Sequence, residues 1–120
     1  MARGDRAVDV TIADLASLSG EVDLEGAVLV GIAMPAAWTA ANLTFQAASA
    51  TGGTFQDVYD DAGGEVTVIA AVSRAIGVDV AAGALAPFRY IKVRSGTTGT
   101  PVVQTPGEGL VRTITLVLKG

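Results

Sequence analysis

Short runs of valine, isoleucine, threonine and aromatic residues recur every 8 to 15 positions along this chain, separated by clusters of Gly, Pro, Asp and Ser. Nowhere does an apolar period of 3.6 persist beyond two turns. A helix needs that period to bury one face, whereas a strand needs only alternation over a few residues, so the pattern predicts an all-β chain. Strands are expected at Ala7–Ala13, Gly20–Leu24, Ala27–Met34, Asn42–Ser49, Thr54–Tyr59, Glu65–Ala71, Ala75–Val80, Phe88–Arg94 and Val111–Lys119. Val102–Gln104 adds a short edge segment, and Ala81–Ala86 closes one helical turn before Pro87. Strands this short and this numerous, with irregular turns and no repeat, predict one domain over residues 1–120. Its expected architecture is a two-sheet antiparallel β-sandwich of jelly-roll or Greek-key type, with a closed barrel as the rival.

Three segments carry most of the register information. Ala27–Met34 is apolar at both parities, which predicts a central strand covered on both faces, with Gly31 admitting a close neighbour or a bulge. Asn42–Ala48 alternates, placing Leu43, Phe45 and Ala47 on one face and Asn42, Thr44 and Gln46 on the other. Arg112–Lys119 sets Ile114, Leu116 and Leu118 opposite Thr113, Thr115 and Val117, so the C-terminus is expected inside the sheet.

With 120 residues, 50% of them hydrophobic, the chain can fill a core without metal or disulfide help. It has no cysteine and no histidine, which excludes thiol catalysis, disulfides, Cys/His zinc sites and histidine general bases. No cofactor is expected, and no serine has a base to activate it, so an enzyme is not expected either. The longest apolar stretch, Ala27–Ala37, is broken by Gly31 and Pro35 and is too short to span a bilayer. The opening MARGDRAVDV lacks the apolar run of a secretory signal, giving the expectation of synthesis in a bacterial cytoplasm and no membrane partner.

The net charge of −4 has the wrong sign for an electrostatic nucleic-acid binder. Its distribution is uneven: Met1–Val68 carries ten acids and two bases, net −8, and Ile69–Gly120 two acids and six bases, net +4. Either the halves intercalate and neutralise each other, or the protomer has one acidic and one basic side suited to head-to-tail contacts. On the second reading Arg89, Lys92 and Arg94, solvated along their strand, meet Asp57, Asp60 and Asp61 of a neighbour. The same strand, Phe88–Arg94, interleaves bases with aromatics as a nucleic-acid reader would. A strand with Ile91 and Val93 inward and Lys92 and Arg94 solvated explains it with fewer assumptions.

Asp57, Asp60, Asp61 and Glu65 supply four carboxylates around Gly63–Gly64, a composition that suits either a hard cation or a tight turn; the turn is the simpler reading, because Asp tolerates turns and Gly supplies positive φ. Trp38 with Asn42 and Gln46 has the composition of a glycan platform. In a core otherwise built from Ala, Val and Leu, a large ring is needed for volume, which makes Trp38 a core or loop-anchoring residue.

Two stretches resemble a known group of proteins. Pro35–Ala47 (PAAWTAANLTFQA) with Gly53–Asp60 (GTFQDVYD), and Tyr90–Thr97 (YIKVRSGT) through Pro101–Gln104 (PVVQ) to Arg112–Leu116 (RTITL), resemble small structural proteins of tailed bacteriophages and phage-derived gene transfer agents. Pro106–Leu110 departs from that pattern as an insertion. The resemblance implies a non-enzymatic virion subunit, a β-sandwich forming a homo-oligomeric ring or knob such as a head-spike base at a capsid vertex, with capsid or fibre proteins as partners. A fibre or tail-tip subunit is a close variant. The alternative is a carbohydrate-binding sandwich that attaches to a bacterial surface.

Overall fold

A computed structural model describes residues 5–120. Its elements are β1 (Arg6–Ala13), β2 (Val22–Asp23), β3 (Val28–Ala33), β4 (Leu43–Ala48), β5 (Gln56–Asp57), β6 (Ala75–Gly77), α1 (Val80–Leu85), β7 (Tyr90–Ser95) and β8 (Val111–Lys119). They form two antiparallel four-stranded sheets, ordered β1-β8-β3-β6 and β2-β7-β4-β5. The pairings are nested: β1 with β8, β2 with β7, β3 with β6 and β4 with β5. Successive nested pairs fall in alternate sheets, as when one long antiparallel hairpin is wound around a core. That is the jelly-roll arrangement of two Greek keys, and two separately bonded sheets replace the closed barrel.

Alternation fixes which faces meet. Val10 and Ile12 on β1, Ile114, Leu116 and Leu118 on β8, and Leu29 and Ile32 on β3 point inward from the first sheet. Phe45 and Ala47 on β4 and Ile91 and Val93 on β7 face them from the second. Slipping β8 by one residue would turn its three buried aliphatics to solvent, so the eight-pair β1·β8 register is strongly specified. The chain ends in that strand, as expected. α1 follows Asp79 as anticipated for Ala81–Ala86, burying Ala81 and Leu85. Among the described residues no helix is long and apolar enough to cross a membrane.

Several strands are shorter than the sequence predicts, and one is missing. Residues 65–71 form only isolated bridges, Tyr59 with Glu65 and Leu43 with Val68, although Val66 and Val68 are buried. Alternation there buries side chains, but β4 offers this segment only two backbone bonds, both between Leu43 and Val68. Val102–Gln104 likewise makes only scattered bonds, Val102 N–H to Ser95 O, Gln104 N–H to Ala16 O and Leu15 N–H to Gln104 O, and forms no strand.

β3 is central, between β8 and β6, but only Leu29 and Ile32 are fully buried on it; Val28, Val30 and Gly31 are half-buried and Ala33 is exposed. The expectation of two covered faces is therefore corrected, since among the described residues nothing fully covers Val28, Val30 and Ala33 on the outer face. The bulge is present: the β3·β8 register shifts between Leu29 and Gly31, and a Cβ on Gly31 would sit 3.3 Å from Val117 Cβ.

Connections between the sheets are knitted together at one end. Leu15 N–H bonds Gln104 O at 2.7 Å, Ser73 N–H bonds Pro35 O at 2.9 Å, and Gly96 N–H bonds Asn42 O at 2.8 Å. Gln104, fully buried, is the polar pin of this end. Its Oε1 accepts from Thr39 N–H at 2.8 Å, and its Nε2 donates to Thr39 O at 2.8 Å and Ser95 Oγ at 2.7 Å. A buried amide with every group satisfied holds one geometry, because each unmade bond would leave a desolvated polar atom.

Candidate functional site

The basic strand β7 runs across the middle of the second sheet, between β2 and β4. Ile91 and Val93 point into the core, and Arg94 shares the outer face with Lys92. That outer face is not open. Residues 57–65 and 96–101 fold over it, and the Arg94 side chain is only 7% exposed. Its guanidinium donates to the carboxylate of Asp57, to Glu65 Oε2 at 3.3 Å, to Thr44 Oγ1 at 3.3 Å and to Thr98 Oγ1 at 2.9 Å. Glu65 in turn accepts from Thr98 N–H at 3.1 Å, and Gln46 Nε2 donates to Asp57 Oδ1 at 3.2 Å. The Arg94 hydrogen bond, joined by that of Gln46 and opposed by partial burial, holds the Asp57 carboxyl below its ordinary value. The expectation of a solvated Arg94 and a free Asp57 is thus overturned: a guanidinium with five donors can tie two loops to one strand, and these loops are long enough to cover it.

The other charged candidates are dispersed. Lys92 is half-buried with its ammonium 4.4 Å from the centre of the Phe55 ring, a cation–π contact. Arg89 is exposed but forms a two-point pair with Asp23 at 3.0 and 3.1 Å, which lowers the Asp23 pKa and raises that of Arg89. Asp60 caps its own turn, accepting from Ala62 N–H at 3.0 Å and Gly64 N–H at 2.9 Å, and Asp61 is exposed beside it. The pairs Arg89–Asp23, Arg94–Asp57 and Arg94–Glu65 each join a base of the second half to an acid of the first. The two halves therefore intercalate in the fold, and part of the charge imbalance along the sequence is neutralised within the chain.

The four carboxylates near Gly63 do not converge. Asp57 and Glu65 turn to Arg94 while Asp60 closes the turn, and no group of three acids among the described residues could hold a metal ion. Thermal melts in EDTA and in millimolar Ca²⁺ are accordingly expected to agree within about 4 °C, the shift that roughly 1 kcal/mol of cation binding would produce. A larger difference would mean that the loop reorganises around an ion.

Trp38 is buried, with its Nε1–H bonded to Ala41 O at 3.0 Å, as expected for a loop-anchoring ring. Asn42 Oδ1 accepts from Ala70 N–H at 3.2 Å, and Gln46 is engaged with Asp57. Trp38, Asn42 and Gln46 therefore form no exposed platform.

What the sequence reading missed lies on the knitted end. Leu15 is 70% exposed, Leu110 58% and Val103 48%. They sit on segments bonded to one another: Leu15 N–H to Gln104 O, and the Asp14 carboxylate to Gly107 N–H at 3.1 Å and Gly109 N–H at 3.4 Å. Leu15 has φ +64°, the left-handed region that a bulky side chain disfavours. The signal available in the sequence was a leucine directly after a turn-forming residue, in Asp14-Leu15 and again in Gly109-Leu110. Comparison of the chain with protein-family models, curated proteins and solved structures finds no match.

Proposed function

We propose that the protein is a non-enzymatic structural subunit of a phage-like or gene-transfer-agent particle, assembling with further copies into a ring or knob such as a head-spike base at a capsid vertex and holding a fibre or adhesion protein. The observation that carries this reading is the apolar end of the sandwich. Leu15, Val103 and Leu110 are left in solvent on loops that Gln104 and Asp14 hold rigid. Exposed apolar groups on a preformed surface mark protein contacts, and preorganisation lowers the ordering cost of making them. A disfavoured backbone at Leu15 supports the same reading, since strain is retained where function uses it. Jelly-roll domains serve both capsids and lectins, so the fold alone does not choose between assembly and sugar binding. What supports assembly over sugar binding is that Trp38 is buried and that Asn42 and Gln46 are already bonded.

The test is incorporation into particles made by the producing bacterium. Wild-type chain is expected in purified particles at a fixed, low copy number by quantitative mass spectrometry. Leu15→Asn/Leu110→Ser is expected to melt at or above the wild-type temperature, since Asn tolerates the left-handed region. It should nevertheless be lost from particles. Absence of the wild-type chain from particles, or full incorporation of the double variant, overturns the reading.

A further inference from the structure

Each sheet of an open sandwich has two edges, and here they are unequal. β2, β5 and β6 run two, two and three residues, the usual way of blunting an edge. β1 runs eight, without proline, glycine or bulge, and pairs continuously with β8 on one side only. Among the described residues its other side makes no backbone bond before Ala13. A mixed groove runs along that free side, lined on β1 by residues 6 and 8–11 and across from it by residues 20–23 and 25, five of the ten charged. Val8, on the inward face, is only half-buried, so the core is unfinished at this edge.

We propose that β1 pairs antiparallel with β1 of a second copy of this chain, about a two-fold axis at Val10, joining the two first sheets into one of eight strands. The pleat allows only registers in which facing residues share a face, so the two registers of greatest overlap centre on Asp9 and on Val10. Centring on Asp9 sets the two Asp9 carboxylates against each other and Arg6 against the apolar Ile12. Like charges directly opposite are destabilising. Centring on Val10 sets Asp9 opposite Thr11, Ala7 opposite Ala13, Val8 opposite Ile12, and Val10 opposite itself. The strand thus avoids like-charge pairing with itself in one register, and the second copy covers Val8, the inward side chain that one copy leaves half-buried.

This goes beyond the function proposed above, since it requires a second copy and no particle. An isologous edge closes on a pair; combined with a separate head-to-tail ring contact it would give two rings back to back.

Asp9 and Thr11 are both exposed on the outer face, and the one bond lost with Asp9, accepted from Thr115 Oγ1 at 2.8 Å, is itself exposed, so charges there leave the fold intact. Sedimentation equilibrium is expected to give the wild type a mass that is an even multiple of 12.0 kDa. Asp9→Lys/Thr11→Lys sets lysine against lysine twice and should halve that mass with an unchanged circular dichroism spectrum. Thr11→Lys alone sets lysine against Asp9 twice and should tighten the pair roughly tenfold. A monomeric wild type, a double variant with the wild-type mass, or a Thr11→Lys variant that pairs more weakly overturns the proposal. Because incorporation into particles is measured separately, a monomer that still enters particles removes the edge pairing and leaves the proposed function standing.

Discussion

Phe45→Ala is expected to destabilise the protein by about 3–5 kcal/mol, lowering the melting temperature by roughly 12–20 °C for a domain near this size. Phe45 is the largest of the fully buried side chains and sits mid-strand on β4, opposite Val93 on β7. Its neighbours on the same face, Leu43 and Ala47, are held by their own strand pairing, so the space left by the ring cannot collapse. Gln46→Ala, on the other face of the same strand, removes one 3.2 Å bond to Asp57 and is expected to cost less than about 1 kcal/mol. Urea unfolding of the two variants measures both. A larger loss for Gln46→Ala than for Phe45→Ala would mean that β4 has the opposite register.

Arg94→Met keeps the length and apolar stem of the side chain and removes its charge. Two carboxylates, Asp57 and Glu65, then face each other with no cation between them, and Thr98 loses the guanidinium that anchors its loop. Breaking a fully buried pair in this way costs 3–5 kcal/mol, and the carboxylates here reach solvent, so a loss of about 2–4 kcal/mol is expected at neutral pH. The pH dependence separates charge from packing. In the wild type Asp57 has a lowered pKa, so its contribution is fully present above the unfolded value of about 4 and disappears as pH falls through the folded value. In the variant, acid also relieves the repulsion between the two carboxyls. The gap between wild type and variant should therefore narrow from pH 7 to pH 3 in urea titrations. A gap of constant size would assign the loss to packing alone.

The β pattern, the inward faces of β4 and β8, the bulge near Gly31, the short helix before Pro87 and the anchoring of Trp38 were all legible in the sequence. Each depends on a local period, a φ requirement or the size of one ring. The fate of charged residues was legible only in part. Lys92 and Arg94 alternate with Ile91 and Val93 as surface residues do, and alternation correctly puts them on the outer face. It says nothing of whether distant residues, here 57–65 and 96–101, will cover that face.

By itself, then, the sequence determined the class of fold and which side chains of β4 and β8 enter the core, because alternation within a strand decides which of its faces is apolar. Only the tertiary structure decided the nesting of strand pairs, the burial of Arg94 and the intercalation of the acidic and basic halves. It also decided which apolar residues stay outside: Leu15, Val103 and Leu110 are as hydrophobic as the core leucines and valines, but the hydrogen bonds of Asp14 and Gln104 fix their loops where no second layer can cover them. Hydrophobicity is a property of the residue, whereas coverage is a property of what the rest of the chain brings to that place.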